Sequence, residues 1–449
     1  MAEIQELDII LSDIGWDKSD GKSFNVWGTV PFPKELLAHL NKCKNTPVYF
    51  YNSNTGKRVL KSNKKSSVWT AFDNYIYSQD ADLNSEDLPR ISATFKSCFS
   101  KYGAVTENIG MQLAMELDMP TSYNYIVKFD PETHTKIVNN YPTISKRSQV
   151  QPYGIVSIDF LQTGHTGNTV YSESSMLDKN GEYVTISAID DLAGEELVSF
   201  EDAMAKYHFR TSNMDGSANL VQNWINVIDD MVKREFPDLP QERINKIISQ
   251  THSRIARSFL LKDSTLGDCD FTAYNGGVVI NRNKKSLRYA PNYDFGESFN
   301  GLIRDKLTPV TDFGIPQSLL DSLKPELRQK ILEQQNKPLD KSIREIAQSW
   351  ASSTSKQNFY YILENFPEAC EEFFESLDML VQRKKIDRII NKFTQTTCNG
   401  KALLTRNEAK MFKEYLYERI SYICDLYIQF LEKQHKEVPQ FINMDYMSL

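Results

Sequence analysis

The feature that most constrains the fold is an ordered series of elements in the middle of the chain. Apolar residues recur at helical spacing over 241–262 and predict a helix, after which comes a loop that holds Asp270 and Asn275. Two short strand-like stretches around a polar turn then predict a β-hairpin over 278–290. Asp294 follows at the end of the return strand, so we expect the hairpin to carry it towards the loop.

The order of these polar residues is typical of phosphoryl-transfer enzymes. In protein kinases a loop Asp orients the acceptor hydroxyl, an Asn five residues later binds one Mg²⁺, and the Asp of a later Asp-Phe-Gly triplet binds the ion that bridges the phosphates. The pattern predicts Asp270 as the catalytic residue, Asn275 and Asp294 as Mg²⁺ ligands, and ATP as the cofactor. In the alternative reading, Asp268 and Asp270 only cap a turn, and Asp294 opens an ordinary loop.

Composition narrows the class of protein. The chain has 449 residues with 40% hydrophobic content, enough for two or three domains with their own cores. A net charge of -7 argues against a broad nucleic-acid-binding surface. The six cysteines form no CxxC pair and the histidines no HExxH motif, which argues against a zinc site or a disulfide framework. No signal peptide or long apolar span is evident, so we expect a soluble cytoplasmic protein.

The secondary-structure pattern changes along the chain from strands to helices. Short apolar runs over 46–78 predict an N-terminal β-rich region. Further strands are predicted at Ile91–Lys96, Tyr123–Val127 and Tyr153–Ile158, with a helix over about 106–118 after the first of them. From about 190 onward the pattern is mostly helical and is interrupted only by the hairpin, with helical segments near 216–235, 241–262, 324–335, 355–390 and 405–434.

Two charged residues of the strand-rich part fit a nucleotide site. Lys96 alternates with apolar neighbours in a strand and precedes the helix that holds Glu107, which is the kinase order of strand lysine and helix acid. Lys96 could equally face solvent, and Glu107 could be a first-turn acid that complements the helix dipole. The strand that ends near Ile158 and Phe160 is the predicted hinge, where main-chain groups would bind adenine.

The loop and the segment after the hairpin resemble the HipA-like kinases, which carry a G-N-x-D-x-H-x-x-N loop followed by A-P-x-Y-D. The matching residues are Gly267, Asp270, Asn275, Ala290, Pro291, Tyr293 and Asp294. Asp268 replaces the family Asn, and Thr272 replaces the family His. Thr272 can hydrogen-bond a phosphate oxygen but cannot carry the positive charge of a protonated histidine. The resemblance covers roughly residues 90–300.

This resemblance implies an α+β, two-lobed protein-kinase-like fold. We expect a β-rich region and nucleotide-binding small lobe over 1–160, a catalytic core over 161–310 and a helical part over 311–449. It also implies transfer of the γ-phosphoryl of ATP to Ser or Thr hydroxyls of a protein substrate, including the enzyme itself. Two alternatives stay open, a catalytically inactive kinase-like scaffold and a kinase that acts on a lipid or a small molecule. Nothing in the sequence indicates the oligomeric state.

Overall fold

The computed structural model has a mixed α+β architecture. It describes residues 2–7, 10–11, 25–31, 48–52, 57–61, 90–98, 100–140, 150–158, 176–177, 183–184, 195–207, 220–307, 325 and 341–439. The predicted domain boundaries near 160 and 310 fall outside these residues, as do Phe160 and most of the helix predicted over 324–335. The domain division therefore stays a prediction.

The strands lie mainly in the first half of the chain. In chain order they are β1 (Ala2–Glu3), β2 (Ile10–Leu11), β3 (Asn25–Pro31), β4 (Val48–Asn52), β5 (Lys57–Lys61), β6 (Arg90–Ser97), β7 (Asn124–Lys128), β8 (Tyr153–Ile158), β9 (Met176–Leu177), β10 (Tyr183–Val184), β11 (Glu195–Ser199), β12 (Gly277–Asn281), β13 (Ser286–Tyr289), β14 (Thr396–Cys398) and β15 (Lys401–Ala402).

The helices dominate the second half of the chain. In chain order they are α1 (Gly103–Glu116), α2 (Pro131–Asn140), α3 (Phe200–Lys206), α4 (Val221–Glu235), α5 (Gln241–Phe259), α6 (Asn300–Leu302), α7 (Ile343–Ala347), α8 (Ser353–Asn365), α9 (Pro367–Gln382), α10 (Lys385–Gln395) and α11 (Arg406–Lys433). A π-helical turn, Leu260–Thr265, continues α5, and a second one, Ile303–Leu307, continues α6. No helix of the described residues is long and apolar enough to cross a bilayer.

Two antiparallel sheets frame the candidate site. The larger has the strand order β2-β3-β6-β8-β7, so β6 lies at its centre. The smaller has the order β11-β12-β13, and β12 and β13 form the predicted hairpin. The pair β4-β5 is also antiparallel, as predicted for the β-rich region. Strand β1 pairs with β14 in parallel, and this connects the beginning of the described chain to its helical part.

Most predicted elements are confirmed, and the structure corrects some of their bounds and the connections between them. Strand β8 has the predicted bounds, and β7 is shifted by one residue. The helix predicted from about 106 begins instead at Gly103. The long connection between β7 and β8 contains the amphipathic helix α2. The part after 190 is less purely helical than predicted, because β11 finds its hydrogen-bonding partner in the distant strand β12, which no local periodicity reveals.

One cluster of buried apolar side chains connects these elements. It extends from Ile155 of β8 and Ile109 of α1, through Trp224 and Phe259, to Phe412 of α11. The ring of Trp224 stacks on the ring of Phe200. It also packs edge-on against the ring of Phe259, with 4.7 Å between the two ring centroids. This packing fixes the end of α5, from which the polar loop emerges.

Candidate functional site

The loop that contains Asp270 begins with a glycine that the backbone requires. Gly267 follows the π-helical turn and has a φ of +61°, a left-handed conformation that glycine adopts without strain. A Cβ atom at this position would lie 2.5 Å from the Tyr415 hydroxyl of α11. Both conditions exclude larger residues, so Gly267 sets the direction in which the loop leaves the helix.

The loop holds Asp270 and Asn275 against each other. The Asn275 side-chain amide donates to the main-chain oxygen of Asp270 at 2.6 Å and to its Oδ2 at 3.2 Å. The N–H of Thr272 donates to the carbonyl of Asp270, and the N–H of Asn275 donates to the carbonyl of Thr272, both at 2.9 Å. Because Asn275 uses its nitrogen within the loop, its amide oxygen is the atom left to act as a ligand.

The segment after the hairpin is anchored on two sides. The side chain of Asn292 is buried, donates to the carbonyl of Pro120 at 2.9 Å and accepts from Ser258 of α5 at 2.7 Å. Two residues later, Asp294 has a φ of +56°, which is uncommon for a residue with a side chain. The N–H of Phe295 then donates to Oε2 of Glu107 at 2.7 Å. The segment after the hairpin is therefore held in place by contacts with both α5 and α1.

One lysine connects the sheet, helix α1 and the segment after the hairpin. The Nζ atom of Lys96 lies 2.6 Å from Oδ1 of Asp294 and 3.1 Å from Oε1 of Glu107. Along β6, Phe95 is fully buried in the core, and Lys96 points to the other face of the sheet. Glu107 is 5% exposed and lies beyond the first turn of α1, where it makes these contacts instead of capping the helix.

Burial and charge pairing set the protonation states of these three groups. Burial works against the charged ammonium, but the two carboxylates outweigh it and raise the pKa of Lys96 well above its ordinary value. Burial, together with the negative charge of Asp294, raises the pKa of Glu107 although Lys96 acts to lower it. At Asp294 burial also opposes ionisation, yet the charge and hydrogen bond of Lys96, together with the charge of Lys262, outweigh it and lower the pKa to about 2. Asp294 is thus an anion at neutral pH, as a metal ligand has to be.

Asp268 has a separate partner of its own. Its Oδ1 accepts from the N–H of Asp270 at 3.0 Å, and its Oδ2 lies 3.8 Å from Nζ of Lys262. Burial is the main reason that the pKa of Asp268 rises; the charge of Lys262 opposes this rise, and the negative charges of Asp294 and Asp270 add to it. Lys262 also donates to the main-chain oxygen of Asp294 at 3.1 Å, so the loop that holds Asp268 and Asp270 is joined to the backbone of Asp294.

The donor set fits a hard divalent cation. Among the described residues, no cluster of three or more His, Cys, Asp or Glu side chains forms a metal site. The ionised carboxylate of Asp294 and the amide oxygen of Asn275 are nevertheless the ligand types that Mg²⁺ takes when phosphates and water complete its shell. These two residues would hold such an ion.

The predicted hinge is less open to a ligand than expected. The N–H of Ile158 donates to the carbonyl of Tyr123 at 2.8 Å, and its carbonyl oxygen accepts from the Ser122 hydroxyl at 3.0 Å. An adenine contact at Ile158 would therefore have to use the second lone pair of its carbonyl oxygen. Phe160 lies outside the described residues. Both adenine contacts stay predictions.

Comparison with known proteins adds little to this geometry. No family model matches the chain, and no curated protein matches it. Among solved structures, the chain is similar to a proinflammatory kinase of Helicobacter pylori, CtkA, at 12% sequence identity and a TM-score of 0.35. The similarity covers 77% of this chain and 96% of that one. At this TM-score it carries no weight for function.

The structure reveals two residues that the sequence analysis missed. Lys262 is completely buried beside the site, and Asn292 anchors the segment that leads to Asp294. A signal for Lys262 was present, because it continues the apolar stripe formed by Ile255 and Phe259. A lysine on the buried face of a helix needs a specific partner. Asn292 had no comparable signal, since an Asn after a proline is ordinary in a turn.

Proposed function

We propose that this chain is an ATP- and Mg²⁺-dependent kinase that transfers the γ-phosphoryl group to Ser or Thr hydroxyls of a protein, including its own. The observation that carries the proposal is the position of Lys96 between Glu107 and Asp294. A strand lysine, a helix acid and a metal-binding acid joined in this way are the parts that position ATP phosphates in kinases. Asp294 is far from the other two residues in the chain, so a shared role explains the contact of all three better than chance does.

Each residue has a role in this proposal. Lys96 neutralises charge on the nucleotide phosphates, and Glu107 holds the lysine in place. Asp294 and Asn275 would hold the Mg²⁺ ion, which neutralises charge on the β- and γ-phosphates when it is bound. Thr272 stands in the same loop as Asn275 and is the proposed hydrogen-bond donor to a phosphate oxygen.

The chemical step requires a group that orients the acceptor, and Asp270 is the candidate. Its carboxylate is half-buried and held by Asn275, so it can accept a hydrogen bond from an incoming hydroxyl. The hydroxyl oxygen forms a bond to the γ-phosphorus while the bond to the bridging oxygen breaks. ADP leaves, and the hydroxyl proton passes to Asp270. The protein contributes position and charge to this transfer.

Labelled ATP tests the proposal. The purified chain with Mg²⁺ and γ-labelled ATP should label itself or a protein in a mixed extract. Asp270→Ala should reduce labelling by about a hundredfold or more, the loss typical of a removed general base, with little change in thermal stability. Asp238→Ala is a matched control, because Asp238 is exposed and its ion pair within the described part of the chain is with Lys285 of the hairpin turn, at 3.8 Å. Equal labelling by wild type and Asp270→Ala would refute the assignment.

The same assay separates the two alternatives. A wild-type protein that is stabilised by Mg²⁺ and ATP but transfers no label would be a kinase-like scaffold. Label that appears in a lipid or a small molecule, identified by mass spectrometry, would keep the reaction and change the acceptor. Label on Ser or Thr that is lost in Asp270→Ala supports the proposed protein kinase.

A further inference from the structure

Lys262 is a buried cation next to the candidate site that the proposed reaction does not use. The residue is 0% exposed and lies in the π-helical turn Leu260–Thr265. The ammonium donates to the carbonyl oxygens of Tyr293 and Asp294 at 2.8 and 3.1 Å. Its carboxylate partner is Asp268. One ammonium thus joins the loop that contains Asp270 to the backbone of the predicted metal ligand.

The stability of the fold alone does not explain why the ammonium of Lys262 is buried. Burial of an ammonium is costly, and an apolar side chain of similar volume often stabilises a protein as well as a buried ion pair does. The surroundings suit an apolar side chain, since the ammonium lies 4.5 and 5.1 Å from the ring centroids of Phe271 and Phe295. What an apolar residue could not supply is a donor for the two carbonyl groups that flank the left-handed residue Asp294.

We propose that Lys262 is a positioning residue that fixes the backbone of Asp294 relative to the loop of Asp270, and that Asp268 is its dedicated counter-ion. This inference rests on the proposed function. Lys96 binds the carboxylate of Asp294, and Lys262 donates to its main-chain oxygen. The two lysines together hold the side chain and the backbone of this residue in place.

The replacement of the motif's Asn by Asp268 follows from the same contact. An amide at this position can accept from the N–H of Asp270 as Asp268 does. It cannot neutralise the buried ammonium of Lys262, which would then have carbonyl oxygens and aromatic rings but no opposite charge around it. Lys262 and Asp268 therefore belong together as a pair, and a change in one should be tolerated best with a change in the other.

The full-length chain allows a test with three variants, Lys262→Met, Asp268→Asn and the double variant. We expect Lys262→Met to raise the Mg²⁺ concentration for half-maximal activity about tenfold, as loss of one or two hydrogen bonds would. Asp268→Asn should lower thermal stability, because it leaves Lys262 unpaired. The double variant removes both charges and should recover stability while its Mg²⁺ requirement stays raised.

A measurement on the ligand-free protein adds a readout that is independent of activity. Hydrogen exchange of peptides that cover 292–299 should be faster in Lys262→Met and in the double variant than in wild type. Arg257→Met is the matched control, because Arg257 lies on the preceding helix and donates to the distant carbonyl of Leu117 at 2.8 Å. It should lower stability without a change in the Mg²⁺ requirement or in exchange over 292–299.

The outcomes distinguish this inference from the proposed function. If wild type neither binds nor uses Mg²⁺ and ATP, both proposals fail. If wild type is active and Lys262→Met has an unchanged Mg²⁺ requirement and unchanged exchange over 292–299, only the role of Lys262 is overturned. Recovery of both stability and Mg²⁺ requirement in the double variant would also overturn it, because the charges would then matter only for folding.

Discussion

The ammonium of Lys96 lies 2.6 Å from the Asp294 carboxylate although 198 positions separate the two residues in the chain. Lys96 stands on the central strand of the large sheet, and Asp294 follows the hairpin of the small one. Glu107 completes the contact from α1. The two sheets and the helix therefore meet at this cluster of three charged side chains.

We expect Lys96→Met to destabilise the protein in a pH-dependent way. The change leaves the buried Glu107 and the partly exposed Asp294 without their counter-ion, at a cost of about 3 kcal/mol when both are ionised. The pKa of both carboxyl groups should rise in the variant, so part of the loss should disappear as the pH falls towards about 5. Urea denaturation at several pH values measures the free energy of unfolding of wild type and variant, and so the loss at each pH. Lys136→Met, on the exposed surface of α2, should leave the stability almost unchanged.

Asp294→Asn should weaken the binding of nucleotide specifically when Mg²⁺ is present. The amide keeps the shape of the side chain but removes the anionic oxygen that a hard cation prefers. Calorimetric titration with ATP, with and without Mg²⁺, should show a loss of about tenfold or more only in the presence of the ion. A variant whose Mg²⁺ dependence equals that of wild type would remove Asp294 from the metal ligands.

Gly110 should be irreplaceable for a steric reason. A Cβ atom there would lie 2.4 to 2.6 Å from side-chain atoms of Phe295, so Gly110→Ala should push this residue away and cost about 2 kcal/mol or more. Gly103→Ala is the matched control on the same helix, because its Cβ would lie 3.7 Å from Sγ of Cys98, an ordinary contact. Thermal unfolding gives the melting temperatures of the two variants, and that of Gly110→Ala should be the lower one. Equal melting temperatures would contradict the tight approach of α1 to Phe295.

Glu408 should stabilise the protein only above acidic pH. It joins α11 to the start of α1, with contacts of 2.6 Å to Lys101 and 2.7 Å to Tyr102. Burial opposes its ionisation, but Lys101 and the hydrogen bonds of Tyr102 and Thr405 lower its pKa from 4.5 to about 2. Because the pKa of Glu408 is lower in the folded protein, its carboxylate stabilises the fold at pH values above 4.5. This contribution is lost as the pH falls to about 2.

The variant Glu408→Gln tests this contribution. It should be less stable than wild type by about 2 kcal/mol near neutral pH, and the difference should shrink between about pH 4.5 and pH 2. Chemical denaturation across this range is the measurement. Glu132→Gln serves as control, because Glu132 is exposed on α2 and forms an ion pair with the exposed Lys136. A difference that stays constant with pH would show that Glu408 acts through packing or capping.

Local patterns were enough to predict much of the fold. The strand β8, the hairpin β12-β13 and the periodicity of α5 were all predicted from neighbouring residues. The pairing of β11 with β12 was missed, since its partners are remote in sequence. The hinge prediction at Ile158 had the same weakness, because only the folded chain shows its N–H paired with Tyr123.

The identity and the order of the chemical groups follow from the amino-acid sequence, because residue type and short-range spacing decide helices, turns and the loop from Asp270 to Asn275. The pairing of these groups depends on long-range packing. It joined Lys96 to Glu107 and Asp294, and it gave Asp268 a buried counter-ion in Lys262. Charge pairing depends on distance and burial, and both are set by the packing of elements that are far apart in the chain.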